Sequence, residues 1–174
     1  MKLTWFGGTA LRAYVGGEIV VVGPDDAPAT VDRGELLSGA DRVVRFDDEI
    51  PVIDPVVWRP KRAGRAMDAA EPPDLFRIGE RAIIVAGQGE PPRVLLGWGE
   101  SPRYGRWADG AVIVLLAAGE PLVAEVSALL DVARPRIIAL AADEQTLDRT
   151  IAMLAEHLDG TGLVSMEPGL ALEV

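Results

Sequence analysis

The chain has 174 residues, 49% hydrophobic and 25% charged, enough for one globular domain that buries roughly 70% of its unfolded surface. Seventeen Lys and Arg stand against 27 Asp and Glu, and the formal charge of −10 opposes the phosphate neutralisation that drives nucleic-acid binding, so neither nucleic acid nor an anionic membrane is an expected partner. Cysteine is absent, which excludes disulfides, thiolate metal sites and a thiol nucleophile.

The opening MKLTWFGG lacks an apolar core of signal-peptide length and reads as a strand, so a cytoplasmic setting is expected. No window approaches the ~18 uninterrupted apolar residues of a membrane span. Residues 2–6, 10–15 and 18–22 are short β-prone runs separated by the pairs Gly7-Gly8 and Gly16-Gly17, and they predict an antiparallel meander that stops at Gly23-Pro24-Asp25-Asp26. Residues 27–40 read as a loop with at most one helical turn, near Gly34 to Leu37. A strand follows at 43–46, delivering Asp47, Asp48 and Glu49 before Pro51, and 51–59 reads as a further strand of edge type because of Pro51 and Pro55. The composition of 59–73 is that of a loop; Lys61, Arg62 and Arg65 make it a small basic cluster and a secondary candidate for an anion site.

Strands are predicted at 76–78, 82–86 and 94–97. The second half changes character. The run 111–116 suits a strand buried on both faces, and 120–132 places Leu122, Val123, Val126, Leu129 and Leu130 at helical spacing. A second buried strand at 136–141 precedes a helix over 143–158 with Leu147, Ile151, Leu154 and Leu158 as its stripe, Asp143 as its N-cap and Gly160 as its stop. Two short strands close the chain on either side of Glu167-Pro168-Gly169. The order is β-rich first, then β-α-β-α-β-β.

Strand ends that present carboxylates are where α/β folds often hold metals or bases, which singles out 47–49. An ordinary solvated turn has the same composition. No Gly-rich phosphate cradle opens a helix, and a Ser-His-Asp set is hard to build when the only histidine, His157, lies near the end of the second predicted helix.

The succession of elements resembles the metallo-β-lactamase-fold hydrolases, in their lactonase-like branch. MKLTWFGGTALRAYVGGEIVVVGP resembles the opening strand, Gly-His-Ser-type turn, second strand, Gly turn and third strand ending in Asp-Pro; here the turn is Gly7-Gly8-Thr9 and the strand ends Gly23-Pro24. VLLGWGES resembles the strand that ends in Gly-Asp-Thr, the segment from Gly110 to Ala142 resembles the strand, helix and strand leading to the last metal histidine, and MEPGLALEV resembles the closing strand. The resemblance implies an α+β fold, a shortened β-sandwich over residues 1–174 as a single domain, with helices on the outer face, mainly from the second half.

It also implies a site that has lost its ligands. The family holds one or two Zn²⁺ on a His-x-His-x-Asp-His cluster with further histidines and a bridging Asp. At the cluster position stand Asp47, Asp48, Glu49, Ile50, Pro51 and Val52, Gly99-Glu100-Ser101 replaces Gly-Asp-Thr, and Ala142 stands where the last histidine is expected. The expectation is a domain with no catalytic residues and no cofactor, acting through self-association as a homodimer or through a protein or small-molecule partner. Two alternatives carry residues: a hydrolase holding Mg²⁺, Mn²⁺ or Ca²⁺ on Asp47, Glu49 and Glu100, whose oxygen donors suit hard ions, and a ligand site of Arg103, Arg106 and Trp107 in the loop after the Glu100 strand. The first half lacks the long helices that cover the family's sheets. An under-covered sheet face, with aromatic candidates Trp5, Phe6, Tyr14, Trp58, Phe76, Trp98, Tyr104 and Trp107, would favour dimerisation, although a core place is the simpler one for each.

Overall fold

The computed structural model describes residues 2–61, 71–80, 82–89, 91–96, 102–116, 121–155 and 157–174. The glycine pairs act as punctuation: β1 (Lys2–Gly7), β2 (Ala10–Val15) and β3 (Glu18–Val22) form an antiparallel meander. A 3-10 turn at Pro24–Asp26 and the five-residue α1 (Arg33–Leu37) carry the chain to β4 (Arg42–Val44), which pairs parallel with β3. Asp32 caps α1 by accepting from the Gly34 amide at 2.7 Å.

β5 (Asp74–Ile78), β6 (Ala82–Ala86) and β7 (Arg93–Leu96) are antiparallel neighbours, and β8 (Val112–Leu115) then pairs parallel with β7. α2 (Pro121–Val132) leads to β9 (Ile137–Leu140), and α3 (Glu144–Leu154) to β10 (Gly162–Ser165), each strand parallel to the one before it in the sheet. β11 (Ala171–Glu173) returns to pair with β1, Lys2 opposite Glu173. One sheet has the order β11-β1-β2-β3-β4 and the other β10-β9-β8-β7-β6-β5, so the chain is mixed α and β.

The two sheets share a core. Leu3, Leu11, Val20 and Val22 from the first meet Ile83, Val85, Val112 and Val114 from the second in one buried cluster. Ile113 and Leu115, pointing the other way along β8, join Leu122, Val126 and Leu129 of α2 and Leu154 of α3 in another. The continuous apolar run of β8 is therefore buried on both faces, as its sequence predicts. On the outer face of the first sheet, Leu36 of α1 covers Phe6, Ala10 and Val21. Tyr14 and Val43 on that face stay 49% and 40% exposed, because α1 is too short to reach across it.

Two sequence expectations change, at 51–59 and at the end of the last helix, and the place of the closing strands becomes clear. Residues 51–59 do not form a strand: Val52 makes one isolated parallel bridge to Arg77, and 55–57 turn. Both prolines remove amide donors that a ladder needs. α3 ends at Leu154 rather than 158, with Thr150 buried and Ile151 39% exposed, so its stripe runs through Leu147, Thr150 and Leu154. β10 and β11 do not pair with each other. The turn between them crosses from one sheet to the other, with the Met166 amide donating to the Leu140 carbonyl at 2.8 Å and the Gly169 amide to that of Trp5 at 2.7 Å.

Candidate functional site

Because β3 and β4 are parallel, their C-terminal ends lie on the same side of the sheet, and there they open into a cleft of about 630 Å³ lined by Thr9, Gly23, Asp25, Asp26, Arg45, Phe46, Asp47, Arg77 and Glu80. Two glycines make it. Gly8 (φ 54°) and Gly23 (φ 58°) hold left-handed conformations in which a Cβ would stand 2.3 Å from the Asp26 carbonyl oxygen and 2.5 Å from Thr9 Oγ1, respectively. Only glycine lets the first turn of the meander approach the turn after β3 this closely.

The polar groups are tied to one another. Thr9, itself buried, donates its hydroxyl to Asp26 Oδ2 at 2.6 Å. Asp25 accepts from Arg45 Nε at 2.5 Å and from Arg33 at 2.7 Å, and these hydrogen bonds, Arg45 first, hold its carboxyl below the ordinary carboxylate range. The Arg45 amide donates to Asp48 Oδ2 at 2.8 Å, which turns the chain just past β4. Arg77 closes the far wall. Its guanidinium donates to the Asp48 carbonyl, its amide donates to the Pro51 carbonyl at 2.8 Å, and its own carbonyl accepts from Ile53 at 3.0 Å. Arg77 Nε is buried without a partner.

Of the sequence-derived metal set, Asp47 lines this cleft and is exposed. Glu49 is exposed and is not among the lining residues, and Glu100 lies outside the described residues, as do Trp98, Arg62 and Arg65. Among the described residues no three His, Cys, Asp or Glu side chains are grouped to hold a metal ion. His157 follows α3 in an exposed turn, its amide donating to the Leu154 carbonyl at 2.8 Å.

Arg103, Arg106 and Trp107 lie elsewhere, on the outer side of the six-stranded sheet. Trp107 has no exposed surface and belongs to the cluster under α2; its Nε1 donates to the Arg103 carbonyl at 3.2 Å, and its ring lies 6.1 Å from that of Tyr104. Tyr104 in turn donates to Glu125 of α2 at 2.9 Å. The indole thus anchors the loop to the core, leaving the Arg103 and Arg106 side chains exposed around it.

Sequence reasoning selected Asp47 but passed over Thr9, Asp25, Asp26, Arg45, Arg77 and Glu80. A signal existed for part of this set: Gly23-Pro24-Asp25-Asp26 follows a strand as Asp47 does, and parallel pairing of the two strands would have brought both acidic turns together. Arg77 and Glu80 come from a different sheet, and local pattern does not reach them. Compared with protein-family models, with curated proteins and with solved structures, the chain gives no match.

Proposed function

We propose that the chain is a non-catalytic, metallo-β-lactamase-like domain of shortened form, working in the cytoplasm, that acts by association, first with a second copy of itself. The order of elements and the helices outside the six-stranded sheet support that kinship. The observation that carries the reading is Arg45. Next to residues 47–52, which stand at the position of the family's imidazole cluster, the Arg45 guanidinium extends into the cleft and is paired with Asp25. A divalent cation entering here would meet a fixed positive charge and would have to break that pair.

Elemental analysis and calorimetric titration of the purified chain with Mn²⁺, Mg²⁺, Ca²⁺ and Zn²⁺ test it. No binding at millimolar supply is expected. A stoichiometric ion that disappears in Asp47→Ala would establish the carboxylate-metal hydrolase instead. Sedimentation equilibrium tests the other half of the reading, with a reversible dimer as the expected species.

A further inference from the structure

The chain contains the dipeptide Asp-Gly twice, as Asp109-Gly110 and Asp159-Gly160, and no asparagine. In such a pair the missing Cβ lets the glycine nitrogen approach the aspartate side-chain carbon. Neither glycine is crowded, since a Cβ added at either would meet nothing within 4 Å. The hydrogen bonds around each pair therefore decide which of the two can react.

At the first pair both reacting groups are engaged. The Gly110 amide donates to the Arg134 carbonyl at 2.8 Å, and Asp109 Oδ1 accepts from the Arg134 amide at 2.9 Å. At the second, the Gly160 amide has no hydrogen-bond partner among the described residues. Asp159 is also the only non-glycine residue among them with a positive φ, 42°, a left-handed backbone that a residue with a Cβ holds at a cost. Thr161, just beyond, adds no side-chain anchor, because its buried hydroxyl is unpartnered. The restraint on the Asp159 carboxyl is Arg134, whose Nε donates to Oδ2 at 2.9 Å. With the two side chains 54% and 74% exposed, this is a weak surface pair.

We propose that Asp159-Gly160 is a site of spontaneous covalent modification, in which the aspartate isomerises to isoaspartate under the restraint of Arg134. The Gly160 nitrogen attacks Asp159 Cγ. The new N–C bond forms as a C–O bond of the protonated carboxyl breaks, and the amide proton departs with that oxygen as water. Water then adds to the former main-chain carbonyl of the cyclic imide and opens it there, so the chain continues through Cβ and the α-carboxyl becomes the free acid. While Arg134 holds Oδ2, the carboxyl stays a bonded anion and cannot release water; breaking the pair opens the route. The product lengthens the backbone just before β10, an edge strand of its sheet, and displaces the carboxylate that Arg134 holds.

Incubation of the folded chain at mildly acidic pH, followed by digestion, tests it, with isoaspartate read by enzymatic methylation of the peptides and by electron-transfer fragmentation. The 159–160 peptide should gain isoaspartate several times faster than the 109–110 peptide. In urea the two rates should converge, because the shared dipeptide alone then sets them; this comparison needs no variant. Asp159→Glu, which would have to close a larger ring, should abolish the signal at that site. Arg134→Gln, shown to be folded by circular dichroism, should raise the rate at 159 above that of the wild-type chain. Equal rates at the two sites in the folded chain, a ratio no different from that in urea, or no isoaspartate at 159 overturns the site. A folded Arg134→Gln chain that reacts at the wild-type rate overturns the restraint.

Discussion

Arg45 Nε lies 2.5 Å from Asp25 Oδ2, so the first residue past β4 is fastened to the turn that follows β3. The pair is a surface contact, yet it decides the character of the cleft, because it sets a cation among the carboxylates that line it. It also makes the protein's acid response readable at one residue. Asp25 is held below the ordinary carboxylate range by hydrogen bonds to Arg45 and then Arg33. A depressed carboxyl binds fewer protons folded than unfolded, so its stabilisation is complete above the unfolded value and is lost as pH falls through the depressed one. Arg45→Gln should therefore raise the Asp25 titration midpoint, followed by carboxyl NMR, and move the onset of acid unfolding to higher pH. An unchanged midpoint would mean that the pair does not persist in solution.

Gly23 provides a test of how the cleft is built. Its φ is 58°, and an added Cβ would fall 2.5 Å from Thr9 Oγ1 and 2.6 Å from the Thr9 carbonyl oxygen. Strain and collision act together, so Gly23→Ala should cost more than about 1 kcal/mol in urea denaturation with the m-value unchanged. The same substitution should loosen the hydrogen bond from Thr9 to Asp26. A neutral effect would require the two turns to stand farther apart than they do here.

How far this molecule was legible in its sequence follows from the range of the forces involved. The meander, β8 and β9, the N-cap at Asp143 and the change from β-rich to alternating order were readable, because alternation, apolar runs and capping chemistry are local. The run 51–59 was not: its valines favour a strand, but Pro51 and Pro55 leave too few amide donors for a ladder, and one bridge at Val52 remains. Asp47 was found as a strand-end acid. Arg77 was missed because nothing in DLFRI tells that its guanidinium reaches the Asp48 carbonyl across 29 positions.

Asp143 caps α3 twice, accepting from the Thr146 amide at 2.9 Å and from the Thr146 hydroxyl at 2.7 Å. The hydroxyl contact first, and then the amide, lower its carboxyl below the ordinary range. By the sign worked out for Asp25, this support is present at neutral pH and vanishes only in acid. Asp143→Ala should speed amide hydrogen exchange through the first turn of α3 at neutral pH while leaving β8 and β9 protected, because a lost cap frays a terminus before it disturbs a core. Thr146→Val, which keeps the amide contact and removes the hydroxyl, should give a smaller change and return the Asp143 midpoint part of the way.

Trp107 separates a structural role from a ligand-binding one. It is fully buried and ties the loop holding Arg103 and Arg106 to the cluster under α2, so Trp107→Ala should destabilise the chain by about 3–5 kcal/mol, the usual cost of emptying an aromatic site in a core. Arg103→Ala with Arg106→Ala removes two exposed guanidiniums and should leave the urea midpoint unchanged. If those two arginines serve an anionic ligand, phosphate or citrate will raise the melting temperature of the wild-type chain more than that of the double variant. Equal shifts in the two proteins are the expected outcome, since the indole that would complete a stacking site is already occupied by the core.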